Sequence, residues 1–126
     1  MERCVQRVKD AYQNDLQTLE DFTKQDSIVL NLQRASEAAI DLAMHIVSEE
    51  HMGLPQNSRD AFALLESHEA LPSEVSKKLQ AMVGFRNIAV HDDQEINVVI
   101  VRSIIENHLN DFQLFAQSIL AFRQSE

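Results

Sequence analysis

The scarcity of glycine and proline is the feature that most limits the folds open to this chain. Among 126 residues only two are glycine and two are proline. Both residue types are frequent in the turns that connect strands, so a chain this poor in them favours long helices. The sequence therefore predicts an all-α protein.

The length predicts one hydrophobic core, and residues 1–126 are interpreted as a single domain. A composition of 44% apolar and 25% charged residues is typical of a soluble globular protein. No uninterrupted apolar run of about 18 residues is present to span a membrane. The first residues also lack the apolar segment of a signal peptide. We expect no membrane span and a cytoplasmic location.

Apolar spacing predicts the first two helices. Val5, Val8 and Tyr12 open a stripe at steps of three and four, which predicts a helix over about residues 2–25. A second helix is predicted to follow a cap at residues 26–27. Its apolar positions cover more than one face, so we expect it at the centre of the fold. Gly53 is predicted to be the glycine that ends it.

Three further helices complete the prediction. Ser58 is predicted to cap a short helix, and Ser73 caps the next one after Pro72. The last helix is predicted over residues 97–122. Its opening "VVIV" is also compatible with a strand, but no partner strand is evident. The predicted architecture is an up-and-down bundle of four long helices and one short helix, with surplus apolar surface on the last helix for a second subunit.

The charge distribution indicates which kinds of partner the chain can bind. A net charge of −9 argues against passive electrostatic binding of nucleic acid. Only residues 73–91 are net positive, with Lys77, Lys78 and Arg86 against Glu74. Without further information, the two lysines are read as a solvated helix face. The lone Cys4 excludes an internal disulfide and a cysteine metal cluster.

The stretch "GFRNIAVHDD" at residues 84–93 is the strongest candidate for a site. Arg86 and His91 are five residues apart, about 140° around an ideal helix, so they do not share a face. Either the helix ends or distorts between them, or they meet their counterparts from a second copy across a twofold axis. Gly84 either permits a close approach to the helix backbone or only loosens the helix.

The residue types in this stretch suit phosphodiester cleavage. Arginine offers a planar, permanently charged fork for phosphate oxygens, and histidine exchanges protons near neutral pH. In RNA the 2′-hydroxyl supplies an internal nucleophile, so these two groups suffice without a metal. The spacing alone is a weak signal, because such pairs also occur by chance.

Other combinations of residues are less specific. The remaining histidines form no H-E-x-x-H pair and are interpreted as structural or exposed; they are His45, His51, His68 and His108. Glu37 and Asp41 share a helical face, either as an acid pair or, more simply, as part of a solvated surface. No glycine-rich phosphate loop and no G-x-S-x-G segment is present.

A family resemblance adds specificity to the motif. The segment "MVGFRNIAVH" at residues 82–91, with "LQRASEAAIDLAMHIV" and "PSEVSKKLQ" before it, resembles the HepT-like branch of the HEPN superfamily. These are the toxins of HepT and MNT toxin–antitoxin pairs, whose defining motif is R-x(4–6)-H. Arg86, Asn87 and His91 match this motif, and most of the chain is covered in the same helical order.

The resemblance implies a function and a set of roles. It implies a helical homodimer whose two motifs form a composite cleft, and a metal-independent endoribonuclease that needs no cofactor and arrests growth. His91 would transfer protons, Arg86 would stabilise the phosphate, and Asn87 would orient groups nearby. Asp41, Lys77 and Lys78 are candidates for supporting roles; they are not part of the motif. The implied partner is an MNT nucleotidyltransferase antitoxin, which in some members adds AMP to a motif tyrosine.

Asp93 departs from the family pattern. Members with the full motif have a tyrosine two residues after the histidine, and this chain has Asp93 there. Aspartate has no phenolic hydroxyl, so AMPylation cannot occur at this position. Its charge is suited to pairing with Arg86, favouring protonated His91, or repelling a phosphate. An alternative function follows, a non-catalytic helical partner that docks a nucleotidyltransferase and helps to bind its nucleotide.

Overall fold

The computed structural model describes residues 1–12, 22–91 and 98–124. The elements within these ranges are α1 (Glu2–Tyr12), α2 (Phe22–Glu49), α3 (Ser58–Ser67), α4 (Ser73–His91), α5 (Val98–Asn107) and α6 (Asn110–Gln124). The described residues include no strand, so the predicted all-α class is confirmed. The segment "VVIV" begins a helix, as predicted.

Helix α2 lies at the centre of the fold. It has 28 residues and packs against α1, α3, α4 and α6. Its fully buried apolar side chains are Ile28, Leu32, Ala35, Ala39, Ala43 and Ile46. A helix that packs against several neighbours needs apolar residues around much of its circumference. The sequence of α2 has this pattern, and it predicted the central place of the helix.

The predicted boundary between the first two helices is wrong. Helix α2 begins at Phe22, and its backbone continues through Asp26 and Ser27, the positions predicted to cap it. The side-chain amide of Asn31 donates to the carbonyl of Ser27 at 2.8 Å. Gln25 is buried one turn before Ile28, so packing of this turn favours helix over a cap. The first helix is described only from Glu2 to Tyr12, and the rest of its predicted course up to residue 21 lies outside the described residues.

Helix α2 ends two residues earlier than Gly53 predicts. His51 adopts a φ of 53°, its N–H donates to the carbonyl of Ser48 at 3.3 Å, and the N–H of Met52 donates to that of Val47 at 3.0 Å. These two bonds form a Schellman motif with His51 in the left-handed position. Gly53 follows with a φ of 123°, a conformation that other residues rarely adopt.

The next two helices begin close to the predicted positions. The cap of α3 is Asn57, one residue before the predicted Ser58, and its side-chain oxygen accepts from the N–H of Asp60 at 2.9 Å. Asp60 in turn accepts from the N–H of Gln56 at 3.0 Å, so the pair satisfies two backbone donors. Helix α4 begins at Ser73 itself, one residue earlier than a cap at Ser73 would place it, and the N–H of Ser76 donates to the carbonyl of Pro72 at 3.0 Å.

The predicted last helix is two helices, α5 and α6, separated at His108 and Leu109. Asp111 lies in the first turn of α6, and its N–H donates to the carbonyl of His108 at 3.1 Å. Asparagine, aspartate and histidine are weak helix formers, and the first two favour helix starts. The cluster "NHLND" therefore interrupts a stripe that apolar periodicity alone reads as continuous.

The core joins residues that are distant in the sequence. The rings of Phe62 and Phe115 meet edge to face, with centroids 5.5 Å apart and an interplanar angle of 75°. Val8 and Tyr12 are buried, as their stripe predicted, and the Tyr12 hydroxyl donates to Glu106 at 3.1 Å. Cys4 is half-buried against the core. None of the described helices combines the length and apolarity needed to cross a membrane.

Candidate active site

Helix α4 holds the candidate motif, and it is helical from Ser73 through His91. The helix therefore does not end between Arg86 and His91, which removes one of the two arrangements that the sequence left open. His91 is the last residue of α4 that the structure describes. On this continuous helix, the positions of Arg86 and His91 are about 140° apart around the axis.

The burial pattern of α4 assigns these two positions to different stripes. In its first three turns the buried apolar residues are Val75, Leu79, Met82 and Val83, while Lys77 and Ala81 are exposed. Seven residues return to nearly the same direction on an ideal helix. The position of Arg86 thus continues the buried stripe of Leu79, and the position of His91 continues the exposed stripe of Lys77.

Gly84 is a site of close approach. A Cβ atom placed on Gly84 would lie 2.6 Å from Nη2 of Arg59, well inside van der Waals contact. The guanidinium of Arg59, which extends from α3, therefore lies against the helix at Gly84, and a larger residue at position 84 would displace the end of this side chain. Of the two interpretations of Gly84, the structure supports close approach. Sequence reasoning missed Arg59, since nothing in its local sequence connects it to the motif.

The two lysines before the motif border a groove between α4 and the α5–α6 break. The groove has a volume of about 400 Å³ and is lined by Lys77, Lys78, Ala81, Met82, Ser103, Ile104, His108 and Asp111. Lys77 is exposed, while Lys78 Nζ lies 3.3 Å from Glu74 Oε1 in an ion pair within α4. The lysines thus lie on the motif helix, nearly four turns before His91.

A histidine–carboxylate pair lies at the far side of this groove. Nδ1 of His108 is 3.0 Å from Oδ2 of Asp111. The aspartate side chain is only 3% exposed, while the histidine side chain is 44% exposed. The sequence interpretation placed His108 among structural or exposed histidines, and the pairing fixes it to the start of α6. The i, i+3 spacing of the two residues at a helix start was the available signal.

The other candidates lie apart from the motif or have structural partners. Asp41 is exposed on α2 and makes no hydrogen bond or ion pair with any residue that the structure describes. His45 pairs with Glu49 at 2.8 Å, and a ring nitrogen of His68 lies 3.2 Å from the carbonyl oxygen of Met52. Within residues 1–12, 22–91 and 98–124, no group of three His, Cys, Asp or Glu residues is placed to hold a metal ion.

Part of the motif lies outside the residues that the structure describes in full. Arg86, Asn87 and His91 are placed by the backbone of α4, whereas Asp93 lies outside the described residues. The roles assigned to these four positions therefore remain predictions from the sequence.

The fold and the motif together define a class, a small helical bundle with an R-x(4)-H sequence on one of its helices. The chain belongs to the ribonuclease HepT-like family, whose model matches residues 1–119. It is 46% identical over 121 residues to the mRNA nuclease HepT of Shewanella oneidensis, covering 96% of this chain and 91% of that protein. It is 30% identical over 91 residues to the tRNA nuclease HepT of Aphanizomenon flos-aquae, covering 72% and 62% of the two chains.

Solved structures of this family share the fold. A tri-AMPylated HEPN toxin of Shewanella oneidensis, solved in complex with an MNT antitoxin, matches at a TM-score of 0.90 with 47% identity over 95% of this chain and 90% of that one. A toxin–antitoxin structure with AMP-PNP matches at 0.91 with 47% identity, over 95% and 91% of the two chains. The predicted likeness to HepT toxins is thereby confirmed.

Proposed function

We propose that this chain is a HepT-type toxin that cleaves RNA inside the cell and is neutralised by an MNT-type nucleotidyltransferase antitoxin. The observation that supports this function is the family match over residues 1–119, which contains the arginine and histidine of the motif. The nuclease names of both relatives agree with it. The cytoplasm, where RNA is abundant, is the compartment that this activity requires.

The proposed reaction uses the internal nucleophile of RNA. The 2′-oxygen attacks the adjacent phosphorus, and the bond to the 5′-oxygen of the next nucleotide breaks. His91 either accepts the proton that the 2′-oxygen loses or donates the proton that the 5′-oxygen gains. Arg86 stabilises the charge that develops on the phosphate. Asn87 orients one of these groups. The products are a 2′,3′-cyclic phosphate and a free 5′-hydroxyl, and no metal is needed for this charge balance.

A homodimer is the form in which we propose that the reaction occurs. The positions of Arg86 and His91 lie on different stripes of one continuous helix, about 140° apart. A twofold axis near the end of α4 would bring Arg86 of one copy toward His91 of the other. Isologous contacts of this kind are common in homodimers.

The mode of neutralisation is proposed to differ from AMP transfer to the motif. One of the matched structures contains a tri-AMPylated toxin bound to its MNT antitoxin. In this chain Asp93 occupies the position of the motif tyrosine and offers no hydroxyl to an AMP group. Binding of the antitoxin itself is therefore proposed to silence the toxin.

Two measurements test the proposed function. Purified protein is expected to cleave single-stranded RNA, and addition of the proposed MNT-type antitoxin is expected to stop cleavage without any change in the mass of the toxin. RNA that stays intact at high protein concentration would contradict the proposal.

Asp93 also favours a second candidate function, a non-catalytic partner of a nucleotidyltransferase. In that case the protein would co-purify with the transferase and alter its nucleotide binding while RNA stays intact. Wild-type protein and an Asp93→Tyr variant are the matched pair for this test. If Asp93 has abolished cleavage, the tyrosine variant alone will cut RNA; under the proposed function, both will.

A further inference from the structure

Arg59 is a charged residue whose position no ion pair among the described residues explains. It lies in the first turn of α3, where the positive end of the helix dipole makes a cation unfavourable. It is exposed, and it forms no ion pair or hydrogen bond with any residue in the described part of the chain. Its guanidinium donors are therefore open to a ligand.

The guanidinium of Arg59 lies against the motif helix at position 84. Nη2 lies 2.6 Å from where a Cβ of residue 84 would be, so a residue other than glycine there would displace the end of the Arg59 side chain. A glycine within a helix costs stability relative to alanine. The chain thus has two locally unfavourable residues, a glycine in α4 and a cation at the start of α3, which meet at one point.

This point lies on the same face of α4 as the histidine of the motif. Positions 84 and 91 are seven residues apart, so they share a stripe and are separated by about 10 Å along the axis. Lys77 is exposed on the same stripe, another seven residues toward the start of α4. Arg86, by contrast, occupies the stripe of the buried Leu79.

We propose that Arg59 binds a phosphate of the RNA strand next to the phosphate that is cleaved, on the face of α4 that leads to His91. Position 84, against which the guanidinium lies, is about 10 Å along the axis from position 91, so we assign Arg59 to substrate binding rather than to the reaction itself. A planar guanidinium is suited to two phosphate oxygens at once. The chain has a net charge of −9, so a local cation is needed to hold an RNA strand close to the motif. This inference rests on the proposed function and names a residue for its substrate.

Binding of a non-cleavable strand tests the inference separately from catalysis. A single-stranded 2′-O-methyl oligonucleotide lacks the nucleophile, so its affinity reports phosphate contacts whether or not the protein cuts RNA. Arg59→Ala is expected to weaken binding about tenfold at low salt. It should also reduce the slope of log affinity against log salt by about 0.7, as loss of one phosphate contact on a single strand predicts. Arg59→Lys should keep most of the salt slope and lose part of the affinity.

Two further variants separate this role from general charge and from folding. Arg7 is an exposed arginine on α1, so Arg7→Ala removes the same charge elsewhere and should leave affinity within about twofold of wild type. Gly84→Ala places a methyl group where Arg59 lies, and it should weaken binding while the melting temperature stays level or rises.

The inference is overturned if Arg59→Ala binds like wild type, if Arg7→Ala weakens binding equally, or if wild type shows no salt-dependent binding. Failure to cleave RNA would instead count against the proposed function, because the 2′-O-methyl strand cannot be cut by any variant.

Discussion

Oδ2 of Asp111 lies 3.0 Å from Nδ1 of His108, across the break between α5 and α6. The carboxylate is almost fully buried, whereas the imidazole is half exposed and borders the groove beside Lys77 and Lys78. A buried carboxylate needs polar partners, and this histidine provides one at the point where the chain leaves one helix and enters the next. The pair therefore stabilises the turn that orients the last two helices.

Loss of this partner is expected to destabilise the fold. His108→Ala leaves the buried carboxylate of Asp111 without its imidazole, at a cost of about 1–3 kcal/mol in the free energy of unfolding. His45→Ala is the matched control, because the pair between His45 and Glu49 is exposed on both sides. That variant should change stability by less than about 0.5 kcal/mol. Urea unfolding of the two variants beside wild type measures the difference, and equal stabilities would refute the structural role of His108.

The buried stripe of α4 is expected to hold the motif helix in place. Leu79 is 1% exposed, so Leu79→Ala should lower the free energy of unfolding by about 2–5 kcal/mol through lost burial and a cavity. Leu120 is 59% exposed on α6, and Leu120→Ala should stay within about 0.5 kcal/mol of wild type. Thermal unfolding of both variants provides the comparison. A similar loss for both would mean that α4 does not pack as described.

Asp93 is expected to protect the chain from AMP transfer. Incubation with the antitoxin and ATP should leave the toxin unmodified, since aspartate at this position has no hydroxyl acceptor. The chain has one tyrosine, Tyr12, which is 2% exposed and so inaccessible to a transferase. Asp93→Tyr should restore an acceptor and gain the mass of AMP on a peptide that contains residue 93. An AMP group found on the wild-type protein at residues 91–97 would contradict this prediction.

A composite site predicts that two inactive variants restore activity together. Mixed and re-equilibrated dimers of Arg86→Ala and His91→Ala contain hybrids in which one of two sites has both residues intact. Such a mixture should recover about a quarter of wild-type activity, because half the dimers are hybrids with one working site each. Each variant alone should stay inactive. No recovery in dimers shown to have exchanged subunits would place both residues in one protomer.

Much of this fold follows from residue periodicity. The helix class, the central place of α2 and the burial of Val8 and Tyr12 all follow from apolar spacing and the scarcity of glycine and proline. The boundaries were harder to predict. Burial of Gln25 extends α2 past a plausible cap, and His51 takes a left-handed conformation that the sequence assigns to Gly53. The break at His108 depends on a contact with Asp111 that no stripe of apolar residues encodes.

The candidate site, like the fold, could be predicted only in part from the sequence. A short motif and its helical context point to Arg86, Asn87 and His91, because the chemistry of those residue types is local. The meeting of Arg59 with Gly84 joins α3 to α4 across 25 residues of sequence, and its cause is packing between two helices. Glycine at position 84 was a visible signal of close approach, but the identity of the approaching group required the structure.

Cleavage of one defined RNA strand, measured with excess EDTA, tests the central claim most directly. Wild-type protein is predicted to cut the RNA to products with 2′,3′-cyclic phosphate ends and to leave DNA of the same sequence intact. Arg86→Ala and His91→Ala should each be slower by about a hundredfold or more. Equal cleavage by wild type and both variants, or equal cleavage of the DNA strand, would contradict the assignment of this helix as a ribonuclease site.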